Sequence, residues 1–149
     1  MPSGFWNAFQ TDFLKENVSD QGPYGGHRAI LWHAPDSLRF RTLEVLGFAK
    51  SNGWNLVDSL RVDSSAIRSW QWLGNPVFPL SSDGFSLVAE YDYIYKYFPR
   101  WIFSNAVVYI FKTGWLTYQP GSDNSTDING FILLSEDGKI LSVYHLWGE

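Results

Sequence analysis

The chain contains no cysteine. That absence removes disulfides, thiolate nucleophiles, cysteine-based zinc sites and iron–sulfur ligation together, leaving histidine and carboxylate side chains for polar chemistry. Charge is scarce as well: 17% of the residues are charged, with 11 Lys and Arg against 15 Asp and Glu and no basic run. The phosphate-backbone footprint of a nucleic-acid binder is therefore missing, and the formal charge of -4 steers weakly toward basic partners. Long apolar runs are also lacking. The longest stretch free of charged side chains, Ser69 to Ser82, is 14 residues long and holds Pro76 and Pro79, short of the roughly 20 apolar residues of a spanning helix. No basic residue precedes Lys15 and no continuous apolar stretch opens the chain, so a secretory signal is not expected and the expected location is cytoplasmic.

What the chain has in excess is aromatic: 11 Phe, 8 Tyr and 8 Trp make up 18% of its 149 residues. Rings of this kind bury on the order of 150 to 250 Å² each, enough to build a large core and still leave amphipathic Tyr and Trp for a binding surface. The length suits one globular domain over residues 1–149.

Phe5, Trp6, Phe9, Phe13 and Leu14 recur at helical spacing behind Ser3, which predicts a first helix closed by Lys15 and Glu16. The glycines and proline of Val18 to Gly26 predict a loop, and Ala29 to Trp32 a short buried strand over His27 to His33. Asp36 or Ser37 can start a helix over Leu38 to Ser51, with Leu38, Val45, Leu46 and Ala49 inward and Asn52-Gly53 as its stop. Trp54, Leu56, Leu60 and Val62 alternate with Asn55, Ser59 and Arg61, which is strand periodicity interrupted on its apolar side by Asp58. Asp63 can cap a short helix through Ile67, Trp70 and Leu73. From Phe85 the pattern turns to strands: Phe85 to Phe98, Trp101 to Phe111, Trp115 to Gln119, and a hairpin of Phe131 to Ser135 with Lys139 to Trp147 around Asp137-Gly138. The expected fold is α+β, about three helices packed on one face of a mostly antiparallel, curved sheet of four to six strands.

Few residues suggest chemistry. His27 and His33 share a strand face about 20 Å apart at strand rise, too far to bind one metal, and no metal or cofactor is expected. No Gly-x-Ser-x-Gly elbow occurs. Asp123 to Gly130 alternates oxygen ligands as calcium loops do, but carries Ile128 where such loops need glycine and Leu134 where they need glutamate, which favours a solvated loop. On Phe85 to Tyr97 the odd positions include Tyr91, Tyr93 and Tyr95, and the even ones Glu90 and Asp92. The tyrosine row can pack on helices, line a ligand pocket or lie in a protein interface, and the carboxylate face can meet a basic partner.

A small, acidic, cysteine-free chain rich in Trp and Tyr and without a catalytic signature resembles the immunity proteins with which bacteria neutralise toxins. The resemblance implies a non-catalytic domain that binds and blocks a cognate toxin through exposed aromatics and carboxylates. The candidate anchors are Glu90, Tyr91, Asp92, Tyr93, Tyr95, Trp115, Tyr118, Asp123 and Asp127. In its late strands and the turn Glu136-Asp137-Gly138-Lys139-Ile140 the last third of the chain also resembles the nuclear-transport-factor-2-like cone. That likeness implies a pocket for a small molecule or for acid/base catalysis, with Asp58 and His145 as the groups to be held there at shifted pKa.

Overall fold

A computed structural model of the chain describes residues 3–22, 25–62, 71–72, 75–76, 105–114 and 130–148, which form a six-stranded sheet, a two-stranded ribbon and a thin helical layer. The strands of the large sheet are β1 (Leu14–Gly22), β2 (Gly25–His33), β3 (Asn55–Val62), β6 (Ala106–Lys112), β7 (Gly130–Ser135) and β8 (Ile140–Gly148). They lie in the order β1-β2-β8-β7-β6-β3, with every neighbouring pair antiparallel. The ribbon pairs β4 (Gln71–Trp72) with β5 (Asn75–Pro76). Two 3-10 turns, Gly4–Ala8 and Thr11–Phe13, and a single α-helix, α1 (Thr42–Ser51), cover one sheet face. No helix among the described residues is long and apolar enough to cross a membrane.

The expectation of about three helices is corrected: the described residues hold one α-helix, and sheet dominates. The N-terminal segment breaks at Gln10, whose φ of 44° is left-handed, so two short turns replace the expected helix and β1 begins at Leu14. Spacing of three, as between Trp6 and Phe9, serves a 3-10 turn as well as an α-helix, and both rings still reach the core. Lys15 to Gly22 instead take their hydrogen bonds from β2, with Val18 opposite Ala29 and Gly22 opposite Gly25. The loop expected from Val18 to Gly26 is thereby strand on both sides of residues 23–24, because β2 is templated along its whole length by β8. Gln71 and Trp72, expected in a short third helix, are strand; Gly74 and Pro76 close behind them disfavour a helical continuation. The rest of that segment, the strands expected from Phe85 to Phe98 and from Trp115 to Gln119, and the loop before Gly130 lie outside the described residues.

The helix α1 starts at Thr42 and not near Leu38, which is half exposed. Residues 34–40 are drawn away by the β7–β8 turn: Ala34 N–H donates to the Lys139 carbonyl at 2.8 Å and Phe40 N–H to the Gly138 carbonyl at 2.7 Å. Lys139 Nζ donates to the carbonyls of Pro35 at 2.9 Å and Asp36 at 2.8 Å, and also to that of Leu38. With Leu38 N–H closing a lone turn on the Pro35 carbonyl at 3.0 Å and Phe40 N–H taken by Gly138, the helical ladder starts only with Val45 N–H donating to the Arg41 carbonyl. At the other end the stop is local: Gly53 has φ 91°, and Asn52 Nδ2 donates to the Phe48 carbonyl at 2.9 Å.

On β3 the register shifts between Leu56 and Asp58, leaving Val57 as an extra residue. Leu56 lies opposite Phe111, while Ser59 and Arg61 lie opposite Tyr109 and Val107. The bulge thus puts Arg61 on the helix-covered side of the sheet, which simple alternation through Trp54, Leu56 and Leu60 cannot predict.

Most of the described aromatic rings go to the core beneath the helical layer. Trp6 packs edge-to-face 5.8 Å from Trp32 and 5.7 Å from Trp54, ringed by Phe5, Phe9 and Phe48. The indole of Trp32 donates to the Phe9 carbonyl at 2.9 Å, tying the 3-10 turns to the sheet. Ile132, Leu134, Leu141 and Val143 complete this side. The central strands are buried on their other side as well: Val108, Phe131, Leu133 and Tyr144 are all out of contact with solvent.

Candidate functional site

The anchors expected from the sequence, Glu90, Tyr91, Asp92, Tyr93, Tyr95, Trp115, Tyr118, Asp123 and Asp127, lie outside the described residues. The two residues proposed for a pocket are both placed. Asp58 sits on the edge strand β3, exposed, with Oδ1 accepting the Ser59 N–H at 2.7 Å. It is not held in an apolar pocket, because the bulge beside it turns the strand at the sheet margin.

His145 is fully buried on β8, opposite Arg28 of β2 on one side and Gly130 of β7 on the other. Its Nε2 shares a 3.1 Å hydrogen bond with Thr113 Oγ1, and its ring lies 5.2 Å from that of Trp54. Gly130 makes this contact possible: a Cβ there would meet the Thr113 methyl at 2.6 Å and the Trp54 ring at 3.1 Å. Arg28 is buried too, donating from Nη1 to Asn17 Oδ1 at 3.0 Å and to Asn7 Oδ1 at 3.4 Å. Burial, with the Arg28 charge added, pushes His145 down to about 3, so the imidazole is neutral at pH 7. A neutral base sealed under a tryptophan holds the strands together and has no open side from which to meet a substrate.

A shallow concavity lies elsewhere, between α1 and the N-terminal turns. It encloses about 600 Å³ and is floored by Phe9 and Phe48, with Asp12 and Glu44 at its rim. Gln10 Nε2 donates to Glu44 Oε1 at 2.7 Å across it. Gly47 lies in the same wall in mid-helix, and nothing stands within 4 Å of where its Cβ would be. One turn away Leu43 is 85% exposed, the most exposed large apolar side chain among the described residues.

Gly47 falls inside the helix expected over Leu38 to Ser51, and no local signal separates a glycine needed for packing from one left open. Asp137, by contrast, is a turn carboxylate: the Ser135 hydroxyl at 2.7 Å and the Lys139 N–H at 3.0 Å hold it below the usual carboxylate range. Among the described residues no cluster of three or more His, Asp and Glu is placed to hold a metal. Comparison with family models, with curated proteins and with solved structures finds no match for this chain.

Proposed function

We propose that the chain is a non-catalytic protein-binding domain, of the kind that blocks a partner such as a bacterial toxin, and that it docks this partner on the groove beside α1. The observation that carries the reading is Gly47. A glycine inside an exposed helix costs about 0.5–1 kcal/mol relative to alanine, and here no neighbouring atom of the chain requires it. Close approach of a partner is the reason we infer for it. The exposed Leu43 supplies an apolar anchor beside it, and Asp12 and Glu44 suit a basic partner, in line with the acidic surplus of the chain.

The test is a paired measurement on Gly47→Ala and Gly47→Arg. Alanine should raise the unfolding free energy by about 0.5–1 kcal/mol. Arginine should leave the protein folded and abolish capture of a stoichiometric partner from lysate of the source cells. Full capture by Gly47→Arg would sink the groove, and if Glu90→Lys/Asp92→Lys then lost capture the interface would lie on the acidic face expected from the sequence. A stoichiometric partner retained by neither the parent chain nor any variant would sink the protein-binding reading itself.

A further inference from the structure

Where α1 begins, the helix-covered side of the sheet is left open, and a half-enclosed cavity of about 390 Å³ remains there. Its walls include Arg39, Arg41, Arg61, Thr42, Tyr109 and Glu136. Arg61 reaches this side only because Val57 is bulged out of β3, and Arg39 and Arg41 arrive on the segment that Lys139 holds out of the helix. Arg61 donates to Glu136 at 2.9 Å; Arg39 and Arg41 have no carboxylate partner among the described residues. Three arginines and a single glutamate thus line one cavity, in a chain whose formal charge is -4.

Like charges lining one concavity repel, and of these three arginines only Arg61 has a carboxylate partner among the described residues. An anion placed among them converts that repulsion into charge-assisted hydrogen bonds. The geometry points to a binding site for a small organic phosphate monoester at Arg39, Arg41 and Arg61. The surplus of two positive charges over Glu136 matches a phosphate dianion better than a monocarboxylate, and guanidinium forks suit its oxygens. The volume exceeds that of bare phosphate and lies in the range of small-molecule sites, which leaves room for an organic group along the Tyr109 ring. The α1 N-terminus opens on the same side through Thr42, adding its partial positive charge to a site the arginines already define.

Titration calorimetry with phenyl phosphate, inorganic phosphate and benzoate tests this. Phenyl phosphate should bind tightest, and Arg39→Gln/Arg41→Gln should weaken it by roughly tenfold or more with an unchanged melting temperature, since both side chains are exposed. Glu136→Gln should act in the opposite direction and tighten binding several-fold, because it frees Arg61 from its carboxylate competitor. A purely structural role for these residues would not produce opposite signs. Absence of phenyl phosphate binding, or undiminished binding by the double variant, would overturn the site. Benzoate or inorganic phosphate binding as tightly as phenyl phosphate would overturn the assignment to an organic monoester.

Discussion

Burial strips an imidazolium at position 145 of its hydration and the Arg28 charge adds to the penalty, so the folded chain refuses the proton down to about pH 3. The unfolded chain accepts it near pH 6.5. Between those values the unfolded state carries the extra proton, so stability present above pH 6.5 is lost as the pH falls, by up to roughly 1.4 kcal/mol per pH unit. Denaturant midpoints at pH 7 and pH 5 should therefore diverge in the parent chain and converge in His145→Gln; an equal pH dependence in both would refute this. The interval from pH 7 to pH 5 lies above the range of Asp137, itself held below ordinary carboxylates. Single positions like this one were only half legible. The sequence marked His145 as a residue to test, but its strand neighbours Arg28 and Gly130 are remote in sequence, and they set its chemistry. Likewise Arg39 and Arg41 look like solvated charges until the bulge at Val57 turns Arg61 toward the cavity they line.

Segments were legible where their signals are local. The stop of α1 at Asn52-Gly53, and the β7–β8 turn at Asp137-Gly138, follow from residues that accept left-handed backbone or bond their own turn. The start of α1 was not, because Lys139 captures carbonyls about a hundred positions away in sequence. The N-terminal turns were misread for a related reason: apolar spacing of three fits two helix types, and pairing with β2 decides where they end. Lys139→Met keeps the aliphatic stem and removes the donor. It should cost about 1–2 kcal/mol and speed amide exchange at Ala34 and Phe40, whose N–H groups bond to the same turn. Exchange at these two amides no faster than in the parent would show that the backbone bonds alone hold the segment.

Across the whole molecule the decisive fact is that the central strands are buried on both sides. The run Phe131-Ile132-Leu133-Leu134 shows this in advance, since a strand with one wet face alternates and this one does not. Ile132→Ala, under the helical layer, and Leu133→Ala, on the opposite side, should each cost about 2–5 kcal/mol in chemical denaturation. A near-neutral Leu133→Ala would mean that the second side is wet in solution. Among the described residues Trp6, Trp32 and Trp54 are all buried, and the tyrosine row lies outside them.

Strand β8 lies between β2 and β7, so residues 140–148 are the seam that joins the first hairpin to the rest of the sheet. A ribosome delivers that seam after everything it joins. Until it emerges, β1 and β2 have only each other, with the apolar side of Ile30 and Trp32 uncovered by β8, and the nascent chain must be kept from sticking to its neighbours during that wait.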